Sequence, residues 1–420
     1  MSSKQPGVLV VNGPLRPAMG GVATFLTHVL PFLVQKGMNM HTVMDRKPVE
    51  SEAHRRYEEK GLHIHYCPSA RWQILFQMIR YAHLWFVILW QSGGRAIVAL
   101  NSFKSIVRWI AVCERVLQSS DIEIIHAYDY PWVQGWVARY LAYKYQKRYF
   151  QTIYGELAPH KGELTIHDKQ SGGYRKLVHN VLTSAELILS CSKHCAREVA
   201  FVGLDPKNTR VLYHGIDTTF FHPGMDSSIV RSRYELGDSQ IVLFVGQMRP
   251  RKGPQVLLEA VPLILHRVPR SLVCFAGPDF GMTGRLKARS IELNIESHVR
   301  FLGPVEEELL PALYNACDVF VFPTCTPIEC LGLTMVQAMA CGKPVVGSCI
   351  NGIPEVVDEN VTGFLVEPND APALAEKVNT LLEDKELRER MGMEGMKRAR
   401  SVFEQSVLAE EMYQLYLGNQ

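Results

Sequence analysis

Twelve short apolar runs, each about as long as a β-strand, alternate with stretches of helical patterning along this chain. Strands that are buried on both faces and separated by helices form parallel sheets of the doubly wound kind. The runs are GVLVVNG, HTVMD, LHIHYCP, IEIIHAY, RYFQTIYG, LILSCS, TRVLYHG, QIVLFVGQ, SLVCFAG, VRFLGPV, VFVFPT and PVVGS. The pattern predicts an α/β protein with two parallel sheets in series.

The chain length sets the number of domains. At 420 residues the chain is too long for one ordinary core, so two large or three small domains are expected, and the two sheets favour two. A stretch dense in turn residues between Gly203 and Pro223 predicts the change of domain. We predict a first domain over 1–206, a second over 207–396, and a C-terminal helix over 397–420 that packs on the first domain.

Composition excludes several classes of protein. The chain is 47% hydrophobic and 21% charged, which is typical of a soluble globular protein, and its net charge of +3 is too small to indicate nucleic acid binding. The ten cysteines lack paired C-x-x-C spacing, so free thiols in a reducing compartment are expected and no metal site. The run after Lys4 ends at Asn12 and predicts a strand rather than a signal peptide, which indicates a cytoplasmic protein.

Two glycines, Gly20 and Gly21, follow the first predicted strand and open a predicted helix. Glycines let the backbone approach a ligand closely, and the free N–H groups at a helix start attract an anion. The pattern is not G-x-G-x-x-G, and a Gly-Gly pair before a helix is often only structural. These glycines are therefore candidates that need support from elsewhere in the chain.

Three cationic residues, Arg249, Arg251 and Lys252, follow the predicted strand QIVLFVGQ. Ligands of open α/β sheets bind at the carboxyl ends of the strands, where a diphosphate would find these cations. A solvated basic turn is the alternative interpretation of the same residues.

A second candidate loop follows the strand VFVFPT and continues into a predicted helix. Glu329 in this loop could be only a helix cap, which stabilises by ~1 kcal/mol. Gln337 lies eight positions later in an apolar run, and a buried amide must find hydrogen-bond partners. With the backbone of Gly332 and Leu333 between them, the two side chains would suit a polyhydroxylated ligand that carries a diphosphate.

These motifs carry a resemblance to a known family. The sequence resembles the family 4 retaining glycosyltransferases, which have two facing Rossmann-like domains in the arrangement called GT-B. The likeness spans nearly the whole chain, in this order: GGVATF, IIHAYDYP, TIYGE, VLYHGIDTTFFHP, RPRKG, VRFLGPV, ACDVFVFPT, ECLGLTMVQAMACGKPVVGS, GIPEVV, TGFLVEPND and the C-terminal helix.

The resemblance implies that the second domain binds a nucleotide-sugar donor and the first holds the acceptor. Lys252 matches the lysine that neutralises the donor diphosphate, and Glu329 matches the first glutamate of the E-x7-E motif, which binds hydroxyls of the sugar. The donor-binding residues would be Gly20, Gly21, Gln247, Arg249, Arg251, Lys252, Val305, Glu329, Gly332, Leu333 and Gln337. Lys252, Glu329 and Tyr154 would be catalytic, and His126 and Tyr154 would lie on the acceptor side.

The same resemblance sets the expected chemistry. Such enzymes generally need no metal ion or other cofactor, in agreement with the lack of an Asp-x-Asp motif in this sequence. A lysine and preorganised N–H groups would stabilise the charge on the leaving diphosphate of a UDP- or GDP-sugar. The family retains the anomeric configuration through a short-lived oxocarbenium-like species, so no protein nucleophile is assigned.

The chain departs from the family pattern at three positions. Gln337 stands where the second glutamate binds the ribose, Gln247 where an arginine is common, and Tyr154 where a histidine is usual. A charged hydrogen bond contributes ~1.5–3 kcal/mol against ~0.5–1.5 for a neutral one, so ribose binding would weaken about tenfold. The departures leave open a non-catalytic protein that binds nucleotide sugars or glycans, or a nucleotide-sugar epimerase on the same scaffold.

The acceptor side has an apolar stretch from Trp72 to Trp90, interrupted by Arg80 and His83. An arginine at a bilayer centre costs ~2.5–3.5 kcal/mol, which disfavours a transmembrane span. A core helix and an interfacial helix remain open, and the nearby cations Arg71, Arg95, Lys104 and Arg108 suit an anionic membrane surface. We therefore expect a peripheral enzyme at the cytoplasmic membrane face, acting on a lipid-linked or surface-glycan precursor.

Overall fold

The structure is a computed structural model that describes residues 5–13, 15, 21–45, 52–91, 96–128, 131–154, 157, 172–326 and 329–419. It divides the chain into two compact units, one formed by Met1–His214 with Gln405–Gln420 and the other by Gly215–Glu404. The sequence placed these divisions at 206/207 and 396/397, so each lies eight residues further along the chain than predicted.

The first unit is built on a seven-stranded parallel sheet in the order β3-β2-β1-β4-β5-β6-β7. Its strands are β1 Val8–Val11, β2 Met40–Met44, β3 His63–Tyr66, β4 Ile124–Tyr128, β5 Arg148–Ile153, β6 Leu187–Ser190 and β7 Thr209–Val211. The helices of this unit that precede the second unit in the chain are α1 Gly21–Gln35, α2 Glu52–Glu59, α3 Arg71–Arg80, α4 Trp85–Gln91, α5 Ala96–Ser119, α6 Trp136–Tyr145, α7 Gly172–Thr183 and α8 Lys193–Arg197. Shorter turns of helix are Ala82–Leu84, Pro131–Gly135, Glu198–Val202 and Pro206–Asn208.

The second unit has a six-stranded parallel sheet in the order β10-β9-β8-β11-β12-β13. Its strands are β8 Gln240–Val245, β9 Ser271–Ala276, β10 Val299–Gly303, β11 Val319–Phe322, β12 Val345–Ser348 and β13 Gly363–Val366. Its helices are α9 Ser228–Arg233, α10 Pro254–Arg267, α11 Thr283–Glu292, α12 Leu310–Ala316, α13 Leu333–Ala340, α14 Ile353–Val356, α15 Ala371–Glu383 and α16 Lys385–Val402. Turns of 3-10 helix are Pro250–Lys252, Glu296–His298 and Glu307–Leu309.

The central strands read as continuous apolar runs because helices cover both faces of each sheet. All four residues of β1 are fully buried, with Val8 and Val10 in one core and Leu9 and Val11 in the other. The predicted α/β class with two parallel sheets is confirmed.

Two strands differ from the prediction. The run TRVLYHG lies in the predicted second domain, but β7 pairs with β6 and completes the first sheet. This pairing moves the unit boundary past Val211. β13 was not predicted as a strand at all, because only the apolar residues Phe364, Leu365 and Val366 mark it between two turns.

The C-terminal segment forms two helices rather than one. The break lies at Phe403 and Glu404, where the Ile216 N–H donates to the Phe403 carbonyl and the Thr218 N–H donates to the Glu404 carboxylate. The last helix, α17 (Gln405–Leu417), then packs against α1, with Leu408 among the residues of the first unit's core.

The apolar stretch after Trp72 forms α3, the turn Ala82–Leu84 and α4 instead of a continuous helix. Among the helices of the described residues, none combines the length and the apolar character needed to cross a bilayer. The ten cysteines are free thiols, as predicted, and seven of them are buried.

Candidate functional site

The site begins at the point where the strand order of the second sheet reverses. From the adjacent strands β8 and β11 the chain proceeds outward in opposite directions, through β9 and β10 on one side and β12 and β13 on the other. Loops that leave the carboxyl ends of two such strands diverge and leave a crevice, which is where open α/β sheets bind ligands. The two candidate loops of the sequence follow β8 and β11.

Hydrogen bonds hold these two loops together. The Arg251 carbonyl accepts from the Cys325 N–H at 2.9 Å and from the Thr324 hydroxyl at 2.8 Å. Gly253, at φ 74°, lies so close that a Cβ there would be 1.7 Å from the Pro323 carbonyl oxygen. Only glycine combines this positive φ with this approach.

Lys252 and Glu329 meet across the junction of the two loops. The Lys252 ammonium donates to Glu329 Oε2, although the residues are 77 positions apart in the chain. Each side chain is only 16% exposed, and Lys252 Nζ also lies 5.3 Å from the ring centre of Phe322. The structure therefore joins the two candidates in one ion pair at the switch point.

Four polar atoms on the segments after β8 and β11 are buried without a hydrogen-bond partner among the described residues: Gln247 Oε1, Arg249 Nε, Arg251 Nε and Thr334 Oγ1. A buried polar atom without a partner costs about 1–3 kcal/mol. Arg249 also stacks on Phe280, with its guanidinium carbon 3.9 Å from the ring centre. Such a set of donors and acceptors can bind a ligand rich in phosphate and hydroxyl oxygens.

The start of α13 adds backbone donors to the same edge of the sheet. Gly332, at φ 80°, caps the helix, and Leu333 is its first residue. The first N–H groups of a helix have no partner within it and favour an anion. The Thr334 hydroxyl was missed by the sequence reasoning, although a hydroxyl residue two positions after the loop glycine was a visible signal.

Gln337 is buried and has a partner in the protein. Its Oε1 accepts a 2.8 Å hydrogen bond from the Tyr314 hydroxyl. Burial raises the pKa of Tyr314 well above its ordinary value, so this hydroxyl remains a donor at physiological pH. Because Oε1 is occupied by Tyr314, a ribose hydroxyl could bond only to the amide nitrogen of Gln337 as its donor. Val305 follows the edge strand β10, and its side chain is half-buried.

The candidates of the first unit are placed differently. Gly20 lies outside the described residues, and Gly21 is the first residue of α1. His126 is fully buried: its Nδ1 is 2.6 Å from the Tyr416 hydroxyl and its Nε2 is 2.7 Å from the Thr152 hydroxyl. Its side chain thus lies in the core and links α17 to the sheet, and the expected place of His126 on the acceptor side stays a prediction.

Tyr154 lies just after the carboxyl end of β5, half-buried among aromatic rings. Its ring meets His214 edge to face at 5.1 Å, and His214 stacks on Phe25 at 4.2 Å. Burial lowers the pKa of His214 to about 3, so the imidazole is neutral at physiological pH. Tyr154 is therefore the acceptor-side candidate that remains near a strand end.

Comparison with known proteins agrees with this architecture. The model of the group 1 glycosyl transferases matches residues 227–398, and that of glycosyltransferase family 4 matches residues 19–220. The D-inositol 3-phosphate glycosyltransferase of Corynebacterium jeikeium is 31% identical over 306 residues, which are 70% of this chain and 72% of that protein. The chain belongs to the group 1 glycosyltransferases.

Other relatives match shorter parts of this family member. The D-inositol 3-phosphate glycosyltransferase of Corynebacterium efficiens is 36% identical over 55% of each chain. The GDP-mannose-dependent α-(1-6)-phosphatidylinositol monomannoside mannosyltransferase of Mycolicibacterium smegmatis is 34% identical over 43% of this chain and 49% of that protein. The chain thus spans about half of the length of these two relatives.

A solved structure shows the fold over the whole chain. Anabaena HepE in complex with UDP and glucose matches with a TM-score of 0.73 and 18% identity, over 98% of this chain and 100% of that one. At this identity the likeness shows the fold alone, and it confirms the predicted GT-B fold class.

Proposed function

We propose that this protein transfers a sugar from a nucleotide diphosphate sugar to an acceptor, with retention of configuration and without a metal ion. The observation that carries the proposal is the Lys252–Glu329 pair at the switch point, on two loops whose neighbouring buried polar atoms lack partners among the described residues. UDP and GDP are the proposed nucleotides, and HepE, which has the same fold, was solved with UDP and glucose.

The proposed donor would exchange the internal ion pair for contacts of its own. Its diphosphate would attract Lys252, Arg251 and the helix start at Gly332, and its sugar hydroxyls would donate to the Glu329 carboxylate. Lys252 gains a phosphate and the Glu329 carboxylate gains hydroxyl donors in this exchange, so the donor compensates for breaking the bridge. Glu329 would thereby be released only when a phosphate replaces it at Lys252.

The same residues would serve the chemical step. As the anomeric bond breaks, negative charge grows on the leaving diphosphate, where Lys252 and preorganised N–H groups stabilise it in a site of low solvent access. The cationic side chains can balance this charge without a metal ion. The leaving phosphate is the proposed proton acceptor, and no protein nucleophile is assigned.

The proposed acceptor is a glycan or a lipid-linked precursor of a surface glycan. The name of the M. smegmatis relative gives phosphatidylinositol monomannoside as its acceptor, and those of the two corynebacterial relatives give inositol 3-phosphate. We extend the lipid-linked case to this chain. Such an acceptor would place the enzyme at the cytoplasmic face of a membrane.

Release of free nucleotide diphosphate from UDP-, GDP- and ADP-sugars, with an acceptor extract present, tests the proposal. We expect release from at least one donor, unchanged by EDTA, with an anomeric NMR signal of retained configuration in the product. Donor binding without release would instead support the non-catalytic alternative, and conversion of the donor to its epimer would support the epimerase. A protein that neither binds any of these donors nor releases nucleotide from them would overturn the proposal.

A further inference from the structure

The helix α3 has its apolar face turned outward. Trp72, Leu75, Phe76 and Ile79 share one helical face, and each is between 59% and 71% exposed. In a globular protein this spacing normally marks the face that packs on the core. Within α3, no residue is buried. The structure thus separates the two alternatives left open by the sequence, because a core helix would bury this face.

The helix α4 extends the same feature on the other side of a bend. Phe86 and Trp90 are 75% and 67% exposed, and Val87 is also exposed. Its opposite side is anchored, since Ile88 of α4 and Leu84 of the preceding turn are buried in the core. We call the seven exposed side chains the α3–α4 surface: Trp72, Leu75, Phe76, Ile79, Phe86, Val87 and Trp90.

A buried polar cluster fixes the bend between the two helices. The Glu114 carboxylate, on α5, is 3% exposed and accepts from the Tyr81 hydroxyl, from Lys144 Nζ at 2.5 Å and from Arg80 Nη2 at 3.4 Å. Arg80 ends α3 and Tyr81 follows it. The outward apolar face therefore belongs to a segment that is firmly attached to its unit.

The sequence interval that carries the α3–α4 surface is cationic. The sequence has no acidic residue between Glu59 and Glu114. Six cationic residues lie in the same interval: Lys60, Arg71, Arg80, Arg95, Lys104 and Arg108. On α7, Lys176 places its Nζ 5.5 Å from the ring centre of Trp90. Large apolar side chains with tryptophans and a cationic border are typical of helices that lie on an anionic membrane.

We propose that the α3–α4 surface docks on an anionic lipid bilayer. The seven apolar side chains enter the headgroup region, and the exposed cations Arg71, Lys104 and Lys176 meet the lipid phosphates. A symmetric dimer through this surface is disfavoured, because it would bring two cationic segments together. Docking itself does not depend on the proposed function. Only its role rests on that function, which is to hold the enzyme beside a lipid-linked acceptor.

Flotation of the full chain with vesicles tests the proposal. We expect the protein to float with vesicles that contain phosphatidylglycerol at low salt, and less at high salt, where the attraction is screened. Vesicles of phosphatidylcholine alone should bind it less. Phe76→Ser with Ile79→Ser should lower the partition coefficient at least about tenfold, because both side chains are largely exposed and their loss removes the apolar contact.

A matched control replaces exposed apolar residues elsewhere in the molecule. Ile291 and Val407 are 59% and 56% exposed, and Ile291→Ser with Val407→Ser should leave flotation unchanged. Protein that stays at the bottom with phosphatidylglycerol vesicles at low salt would overturn the proposal. An equal loss of flotation in the control pair would also overturn it. So would a wild-type protein that binds no vesicles but forms a dimer, as measured by light scattering, which Phe76→Ser with Ile79→Ser breaks.

Donor turnover separates this inference from the proposed function. Phe76 and Ile79 are not among the proposed donor residues, most of which lie in the second unit, so the Phe76→Ser with Ile79→Ser variant should release nucleotide diphosphate at the wild-type rate with a water-soluble acceptor. A protein that floats but never releases nucleotide would refute the proposed function and leave the docking surface intact. A protein that releases nucleotide but never floats would refute only the docking surface.

Discussion

The hydroxyl of the fully buried Tyr314 donates a 2.8 Å hydrogen bond to Gln337 Oε1, 23 residues further along the chain. This contact answers the question raised by an amide in the apolar run LTMVQAMA. It also defines what the Gln337 side chain still offers, which is the N–H donors of its amide. A glutamate at this position would offer Tyr314 one carboxylate oxygen and keep the other as an acceptor for a hydroxyl.

Exchange of Gln337 therefore tests whether this residue contacts the donor. We expect Gln337→Glu to tighten nucleotide-sugar binding about tenfold, because a charged acceptor bonds a ribose hydroxyl more strongly than an amide does. Gln337→Ala should weaken it. Calorimetry with UDP- and GDP-sugars measures both changes. Unchanged affinity in both variants would reduce Gln337 to a core amide that serves only Tyr314.

Loss of Lys252 should affect catalysis more than folding. Lys252→Met removes the cation proposed for the leaving diphosphate, and we expect kcat to fall about 10²–10³-fold. The variant also leaves the Glu329 carboxylate without its ion partner, so the free energy of unfolding should fall by about 1–3 kcal/mol. Urea unfolding and nucleotide release measure the two effects.

The control for Lys252→Met is Lys36→Met, which breaks the half-exposed pair of Lys36 with Glu410. An exposed pair contributes at most about 1 kcal/mol, and this one lies outside the second unit. Its kcat should remain that of the wild type. Full activity of Lys252→Met would remove Lys252 from the proposed machinery.

Gly253→Ala should separate the two loops of the candidate site. The added Cβ would lie 1.7 Å from the Pro323 carbonyl oxygen, at a φ of 74°. Gly342→Ala is the matched control, since it has the same φ of 74° but its nearest neighbour would be 3.8 Å away. The control should lose only the conformational cost of about 1–2 kcal/mol. We expect Gly253→Ala to unfold at lower urea and to lose donor binding, whereas equal behaviour of the two variants would contradict the close approach.

Acid should destabilise the first unit through its buried histidines. Burial lowers the pKa of both His126 and His214 to about 3, from an ordinary value of 6.5. Below pH 6.5 the unfolded chain binds protons that the native unit excludes, so stability falls as pH falls towards 3. Each histidine should contribute a slope of about 1.4 kcal/mol per pH unit between these values.

Urea unfolding at a series of pH values between about 7 and 5 checks this slope, whose order of magnitude is set by one proton per histidine. His126→Gln keeps hydrogen-bonding capacity beside Thr152 and Tyr416 but cannot titrate, so it should flatten the profile relative to the wild type. A variant profile as steep as that of the wild type would show that His126 is already protonated in the native state.

Local sequence patterns predicted most of the strands because a run such as VLVV is apolar at every position, which is typical of a strand buried on both faces. They could not decide which sheet receives β7, because that depends on pairing with β6. The Lys252–Glu329 pair was foreseen only as two separate candidates. The contacts of Tyr314, Thr334 and Phe280 depend on tertiary packing, which cannot be deduced from the spacing of residues along the chain.

The stretch from Trp72 to Trp90 shows the same limit from the opposite direction. Its apolar content left both burial and interface docking open, since helical periodicity marks a face but not its direction. The direction follows from the anchor at Glu114, which lies on α5 and cannot be deduced from the stretch itself. His126, in the middle of β4, illustrates the same limit, because its hydrogen bond with Tyr416 joins residues 290 positions apart.

The placement of α17 has a consequence for biosynthesis. The first unit holds residues from both sides of the continuous second unit, and Tyr416 closes its core on His126. On the ribosome, residues 1–214 must wait for the whole second unit to be translated before α17 emerges to cover α1. The second unit, made of one uninterrupted segment, can complete its own core first. A nascent chain stalled before Gln405 would thus expose apolar surface. Chaperones that recognise such surface are therefore expected to bind the chain during its synthesis.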